Sequence, residues 1–161
     1  MAKVLIIYYS RTGHTAKMAE YVEEGLKEEG GVEVERKPVQ QVALEELLSA
    51  DGIIIGSPVY YGTMAAEIKK LIDESVKFHG KLEGKVGGAF ASSAGVGGGN
   101  ETTIIDILKA MLIHGMIIQG SHHEDHYGPV AIGAPDERSK RNCLELGRNV
   151  ARLVKRLSSA N

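Results

Sequence analysis

The chain has 161 residues, in which 19 Lys and Arg nearly balance 21 Asp and Glu, and it contains one cysteine. This length predicts a single domain over residues 1–161 that buries roughly two-thirds of the surface of its unfolded chain. The balanced charge argues against nucleic acid as a partner. One cysteine excludes an internal disulfide bond, and we expect a cytoplasmic protein.

Two apolar segments are long enough to raise the question of a leader peptide or a membrane span. The run 4–9 leads straight into polar turn residues and is shorter than the apolar core of a signal peptide, so it predicts a buried strand. The longest uncharged window, residues 86–100, is shorter than the roughly 20 residues that cross a bilayer and is rich in Gly and Ser. We therefore predict no membrane insertion.

Short apolar runs alternate along the chain with segments of helical spacing. After the strand at 4–9, the side chains of Met18, Val22 and Leu26 recur at every fourth position and predict a helix. The run GIIIG at 52–56 is apolar throughout, which suits a central strand covered on both faces. The other predicted elements are, in chain order, an edge strand at 32–39, a short helix at 44–48, a helix through 68–72, a strand at 85–93, a helix through 104–112, a strand at 115–120 and a last helix through 146–157.

This alternation predicts an α/β fold, a doubly wound parallel sheet of five strands with helices on both faces. Ligands bind such sheets outside the carboxyl ends of the strands. Three loops follow the first, third and fourth predicted strands, and we call them the first loop (10–15, SRTGHT), the second loop (57–64, SPVYYGTM) and the third loop (92–102, SSAGVGGGNET). We expect them to meet at one edge of the sheet.

The first loop combines hydroxyl side chains with a glycine at the start of a helix, which favours a phosphate site. A helix N-terminus offers unpaired N–H groups and about half a positive charge, and Gly13 permits a close approach. The loop lacks the lysine of a nucleotide triphosphate loop and the three glycines of a dinucleotide fingerprint, which disfavours ATP and a Rossmann-bound NAD. Two alternatives are that Thr12 merely caps the helix and that Arg11 points into water. The predicted phosphate residues are Ser10, Arg11, Thr12, Gly13, His14 and Thr15.

The second and third loops favour a site for a flat ring. Tyr60 and Tyr61 can lay a ring against a heterocycle, and the main chain up to Gly62 offers donors and acceptors to its polar edge. The glycines of the third loop let backbone N–H groups approach carbonyl oxygens. The alternative for the second loop is a hydrophobic turn with one tyrosine packed inward. The alternative for the third loop is a flexible linker.

Together these segments resemble the flavodoxin-fold FMN proteins, most closely the WrbA-type NAD(P)H:quinone oxidoreductases. The resemblance runs from MAKVLIIYYS through GSPVYYGTM, SAGVGGGNETT and LIHGMIIQG to YGPVAIGAPDERS, and so covers most of the chain. It implies the strand order 2-1-3-4-5, the ribityl phosphate of FMN on the first loop, and the isoalloxazine between the other two loops. The implied ring contacts are Pro58, Val59, Tyr60, Tyr61, Gly62, Ser93, Ala94, Gly95, Val96, Gly97 and Gly98.

The chain also departs from this family pattern. Ile113 and His114 stand where the family commonly has two histidines before Gly-Met, the first of them near the flavin. The chain is shorter than the typical member before the third strand and after the fifth. In the family both regions help shape the substrate pocket and the tetramer.

The resemblance implies that NAD(P)H reduces the flavin, which passes two electrons to a quinone or another small acceptor, without a catalytic side chain. It also implies a homo-oligomer, either a dimer or a tetramer. One alternative is a flavodoxin that carries electrons between redox proteins, although such carriers usually have a strongly acidic face and the net charge here is −2. Another alternative keeps the fold without the flavin.

A histidine-rich segment, SHHEDHYG at 121–128, is not explained by this resemblance. His122 and His126 are four residues apart, and on a helix they would share one face, as metal ligands often do. The alternative is a polar loop near the mouth of the pocket. We favour that alternative and predict no metal site.

Overall fold

A parallel sheet forms the centre of the structure, a computed structural model that describes residues 1–160. The strands are β1 (Lys3–Tyr8), β2 (Glu33–Pro38), β3 (Gly52–Tyr60), β4 (Thr63–Met64), β5 (Val86–Ser93), β6 (Ile117–Ile118) and β7 (Val130–Ile132). The helices are α1 (His14–Glu29), α2 (Glu46–Ser49), α3 (Ala66–Glu74), α4 (Asn100–Ile113) and α5 (Glu137–Ser158), with short 3₁₀ turns at Val39–Gln41 and Ser75–Phe78.

The strand order is β2-β1-β3-β5-β6, and these strands are parallel. The predicted α/β fold and its order 2-1-3-4-5 are confirmed, because β5 is the predicted fourth strand and β6 lies in the place of the fifth. Two short strands were not predicted. Strand β4 forms an antiparallel hairpin with β3, and β7 pairs with the end of β5.

The predicted strand at 115–120 is too long, because only Ile117–Ile118 pair with β5. The chain then leaves the ladder and returns as β7, opposite Ala91–Ser93. Between them Gly128 lies against the backbone of Ala89, where an added Cβ would stand 2.1 Å from the carbonyl oxygen. This close approach and the missing N–H of Pro129 interrupt the ladder in the middle of the edge.

Helices cover both faces of the sheet because alternate side chains of β1 point to opposite sides. Leu5 and Ile7 pack in a core with α3 and α4, whereas Val4 and Ile6 pack in a core with α1 and α5. The fully apolar β3 contributes to both cores, as expected of a central strand. This two-layer cover leaves the carboxyl ends of the strands open at one edge.

Helices α1 and α5 cross through a pair of glycines. An added Cβ on Gly147 would lie 2.3 Å from the carbonyl oxygen of Val22, and one on Gly25 would lie 2.2 Å from that of Leu144. Only glycine allows the two backbones to come this close. The crossing holds α1 against the sheet and so fixes the helix whose first turn belongs to the first loop.

No helix within residues 1–160 is both long enough and apolar enough to cross a bilayer.

Candidate functional site

The three loops lie together because their strands are neighbours in the order β1-β3-β5 and run in one direction. Direct hydrogen bonds join them. The Thr15 and Ser92 hydroxyls lie 2.9 Å apart and link the first loop to the third. The Thr102 hydroxyl lies 2.9 Å from the Gly62 carbonyl oxygen, to which it can donate, and links the third loop to the second.

In the first loop, Gly13 rather than Thr12 is the N-cap of α1. Gly13 has φ +97°, and the Thr12 hydroxyl makes no hydrogen bond to the helix, so the alternative that Thr12 serves as the cap is wrong. The Ser10 Oγ accepts hydrogen bonds from the N–H groups of Gly13 and Ala16, both at 3.2 Å. The serine thereby bends the chain back over the first turn of the helix.

Several backbone donors of the first loop are left unpaired. The N–H groups of Arg11, Thr12, His14 and Thr15 have no hydrogen-bond partner within residues 1–160. An added Cβ on Gly13 would meet no atom within 4 Å, so the space above the turn is open. Free amides at the start of a helix of this length form an anion site. The residues present therefore fit a phosphate group.

Arg11 and Thr12 are exposed, whereas the Thr15 side chain is buried. Arg11 makes no ion pair with any carboxylate in the described part of the chain, so its charge is available to an anion. His14 is half-buried as the first residue of α1. The loop therefore presents backbone donors, hydroxyls and one free cation.

The second loop is a tight hairpin between β3 and β4. Tyr60 pairs with Thr63, and the two residues between them, Tyr61 and Gly62, have φ +49° and +83°. Two central residues with positive φ are typical of a type I′ turn. The Tyr61 side chain is fully exposed, and the Tyr60 ring meets Tyr9 edge-on with centroids 6.3 Å apart. Because the Tyr60 side chain is also 37% exposed, neither tyrosine is packed inward, and the alternative of a hydrophobic turn with one buried tyrosine is wrong.

Hydrogen bonds from four residues outside the predicted set, Ser57, Thr63, Thr102 and Asp106, hold this hairpin. The Ser57 Oγ accepts from the Ala65 N–H at 2.9 Å and donates to the Pro58 carbonyl at 2.8 Å. The Thr63 hydroxyl lies 2.7 Å from Asp106 on α4. None of these four residues was predicted as a support. Only the position of Ser57, at the end of an apolar strand, could have indicated one of them.

The third loop is a short, fixed turn and not a flexible linker. The Ser93 Oγ donates to the Gly95 carbonyl at 2.8 Å, and the Gly98 N–H donates to the same oxygen at 3.2 Å. Gly99, with φ +111°, lies so near Gly62 that an added Cβ would stand 2.9 Å from its Cα. The exposed N–H groups of residues 94–97 have no partner within residues 1–160 and face open space at Gly95 and Gly97.

Tyr9 was not predicted as a site residue, although it follows β1 directly and precedes Ser10. Its ring is half-buried against Tyr60 between the first and second loops. Burial raises the pKa of the Tyr9 hydroxyl, and the nearby Glu67 carboxylate raises it further. Tyr9 is therefore a neutral hydrogen-bonding group beside the loops at neutral pH.

The histidine-rich segment lies in the loop between β6 and β7 and not on a helix. The rings of His122 and His123 have centroids 3.8 Å apart and planes tilted by 39°, and the His126 Nδ1 lies 2.8 Å from the Ser121 carbonyl. Because this segment is not helical, His122 and His126 do not share one face of a helix, and the arrangement on which the metal alternative depended does not occur. Within residues 1–160 no group of three or more His, Cys, Asp or Glu side chains is arranged to hold a metal.

Ile113 and His114 lie at the far end of α4, away from the three loops. Ile113 is exposed, and the His114 Nε2 lies 2.8 Å from the Ser75 Oγ. Because Ser75 donates its own proton to the Ile72 carbonyl, Nε2 of His114 must be the donor in that bond. The buried Nδ1 is then an acceptor without a partner in the described chain.

We expect His114 to make the folded state sensitive to acid. Burial lowers the pKa of His114, and the neighbouring His79 lowers it further. The unfolded state therefore binds more protons below its own pKa of about 6.5, so this contribution to stability is present above that pH and is lost as the pH falls through the folded pKa. Urea unfolding should show a larger loss of stability between pH 7 and pH 5 for the wild type than for His114→Gln. Equal losses would contradict this role.

Known proteins are similar to this chain in both sequence and fold. The sequence profile of a family described as a flavodoxin domain matches residues 5–96. A flavodoxin from Aquifex aeolicus (strain VF5) is 40% identical over 96% of this chain and 88% of its own length. An NAD(P)H dehydrogenase (quinone) from Archaeoglobus fulgidus is 32% identical over 98% of this chain and 100% of its own length. The crystal structure of a WrbA-like flavodoxin from Agrobacterium tumefaciens is similar with a TM-score of 0.81 and 26% identity, covering 97% of this chain and 99% of that one.

Proposed function

Because this chain belongs to the flavodoxin family and is an FMN-binding redox flavoprotein, we propose that it acts as an NAD(P)H:quinone-type oxidoreductase with FMN held across its three loops. When bound, FMN supplies two-electron redox chemistry between a nicotinamide donor and a quinone acceptor. The protein supplies placement and electrostatics. No side chain is assigned a catalytic role.

The first loop is proposed to hold the phosphate of FMN. The unpaired N–H groups of residues 11, 12, 14 and 15 would donate to its oxygens, and Arg11 would balance its charge. The hydroxyls of Ser10 and Thr12 add further donors. Gly13 leaves the space that the phosphate would fill.

The second and third loops are proposed to hold the ring. The tyrosine pair and residues 58–62 would flank one part of the isoalloxazine, and the free N–H groups of residues 94–97 would donate to its carbonyl oxygens. Ser93 and Gly98 would hold the third loop in the conformation that aims these groups. The short distance between Gly62 and Gly99 keeps the two loops in one fixed arrangement.

The charge of the ring loops supports a reductase more than a carrier. The second loop and residues 92–100 of the third loop contain no charged side chain, and the carboxylates nearest to them in sequence are Glu67 and Glu101. The side chains at the two loop tips, Tyr61 and Val96, are nearly or fully exposed and largely apolar. Such a surface suits a flat, uncharged quinone, because it gains stability from burying apolar area. A carrier that docks on other proteins would be expected to surround its flavin with carboxylates.

The second candidate is an electron carrier without its own small substrate. It is favoured by the Aquifex relative, which is named a flavodoxin and is 40% identical along nearly the whole chain. The same FMN site would serve this role. The two candidates differ in whether NAD(P)H and a quinone react at the protein.

A steady-state assay separates these candidates. FMN-loaded protein is mixed with NADH or NADPH and a benzoquinone, and nicotinamide oxidation is followed by absorbance, with free FMN at the same concentration as the control. We expect quinone-dependent turnover well above the control. A rate equal to that of free FMN with both donors would reject the reductase and favour the carrier. The homo-oligomer stays a prediction that sedimentation velocity would check.

A further inference from the structure

The outer edge of β7 is closed by two charged side chains and not by another strand. On its inner side, the Ala91 N–H donates to the Pro129 carbonyl at 3.0 Å. The Gly133 N–H donates in turn to the Ser93 carbonyl at 2.7 Å. Because the backbone groups of successive residues in a strand point to opposite sides, the N–H and C=O of Val130 point away from β5. An edge strand normally leaves such groups without protein partners.

Asp125 and Arg138 provide partners for both of these groups. The Asp125 Oδ2 accepts the Val130 N–H at 3.0 Å, and the Arg138 Nη2 donates to the Val130 carbonyl at 3.3 Å. The two side chains also bond to each other, with Nη1 of Arg138 2.8 Å from Oδ1 of Asp125. The planar fork of the guanidinium lets Arg138 reach the carboxylate and the carbonyl at once. We name this pair of residues the β7 clamp.

The β7 clamp is anchored on α5. Arg138 lies in the first turn of that helix, which begins with a complete capping box. Asn142, one turn further along, donates from Nδ2 to the Asp125 Oδ2 at 2.9 Å. Asp125 itself has φ +43°, and its carbonyl accepts the Gly128 N–H at 3.0 Å, which turns the chain toward β7. The Asp125 carboxylate is therefore bonded both to α5 and to the strand.

Strand β7 connects the clamp to the third loop. It pairs with Ala91–Ser93, the last residues of β5. The Gly133 N–H holds the main chain of Ser93, while the Ser93 hydroxyl donates to the Gly95 carbonyl at 2.8 Å. These contacts link the clamp to the turn whose free N–H groups face the proposed ring site.

We propose that Arg138 is a positioning residue for the flavin ring, and that it acts on the third loop through the β7 clamp and not by contact with FMN. This inference rests on the proposed FMN site. The guanidinium already bonds to Asp125 and to the Val130 carbonyl, so its charge has a partner within the chain. With the clamp formed, β7 and the third loop are ordered before the ligand arrives, and such preorganisation increases affinity.

The variant Arg138→Met tests this inference, because it keeps most of the side-chain length and removes the guanidinium. We expect FMN and riboflavin, which share the ring, each to bind about fivefold more weakly, the effect typical of one weakened hydrogen bond. Both affinities are measured by quenching of flavin fluorescence, with circular dichroism to verify that the variant is folded.

The matched control is Arg141→Met, which removes the same charge from the same helix. Arg141 is exposed and makes no ion pair within residues 1–160. This variant should bind both flavins as the wild type does. A second readout needs no ligand. In the apo-protein the Gly133 N–H should exchange with solvent faster in Arg138→Met than in the control, as measured by NMR.

The possible outcomes separate this inference from the proposed function. If Arg138→Met loses affinity for FMN but not for riboflavin, Arg138 acts on the phosphate and the inference is overturned. Unchanged affinities for both flavins would overturn it as well, because the clamp would then contribute only to stability. Equal exchange of the Gly133 N–H in the two variants would show that the clamp does not hold β7. If the wild type itself fails to bind FMN, the proposed function fails, and the inference fails with it.

Discussion

Replacing Gly147 with alanine is expected to lower the free energy of unfolding by about 3 kcal/mol, near the upper end of the usual cost of overpacking. On an exposed helix this change would instead stabilise the protein by about 1 kcal/mol, because alanine favours the helix. Here the new Cβ would lie 2.3 Å from the Val22 carbonyl oxygen and 2.7 Å from the Leu26 nitrogen. Both are backbone atoms that cannot rotate away, so α1 and α5 must separate. Urea unfolding measures the difference.

Asn149→Ala is the matched control for this prediction. It lies on the same helix, is half-buried, and makes only one long hydrogen bond of 3.5 Å, with Arg152. Its stability should change by less than about 0.5 kcal/mol. If Gly147→Ala were as stable as this control, the close crossing of the two helices would be contradicted.

Replacing Gly13 with valine is expected to weaken FMN binding about 100-fold. The position has φ +97°, which a β-branched residue rarely adopts, and the side chain would fill the open space above the turn. At least two charge-assisted hydrogen bonds to the phosphate would be lost, at about 1.5 kcal/mol or more each. Fluorescence titration of the wild type and the variant with FMN measures the change.

Gly80→Val separates the loss of binding from backbone strain. Gly80 has φ +81° and also has no atom within 4 Å of an added Cβ, but it lies outside the three loops. We expect both variants to lose comparable stability, with FMN affinity lost only in Gly13→Val. Equal affinities for FMN in the two variants would show that the first loop does not hold the phosphate.

Much of the fold could be predicted because local patterns and tertiary packing agree. The run GIIIG at 52–56 indicates a central strand, and β3 contributes to the cores on both sides of the sheet. The β3–β4 hairpin was missed because its turn begins with a tyrosine at positive φ, a rare choice for that position. The division of the last strand into β6 and β7 was missed because it depends on Gly128 approaching Ala89, a contact between distant segments.

The site could be predicted at the level of loops but not of contacts. Strand order and direction bring the three loops together. The alternation of strands and helices predicts the parallel direction, whereas the order was implied by the resemblance to the flavodoxin-fold proteins. The supports of the loops are long-range hydrogen bonds, such as Thr102 with Gly62 and Thr15 with Ser92. No periodicity or spacing in a single sequence encodes such pairs. The sequence could therefore suggest hydroxyl residues for a phosphate, but not that the Thr15 hydroxyl is already bonded to a serine.

Titration of the apo-protein with FMN, followed by the quenching of flavin fluorescence, tests the central claim most directly. Riboflavin, which has the same ring without the phosphate, is titrated in parallel. We predict saturable quenching with one FMN per chain and a much weaker affinity for riboflavin, because the free amides of the first loop then have no anion to bind. No quenching by FMN, or equal affinities for the two flavins, would contradict the assignment of the first loop to a phosphate.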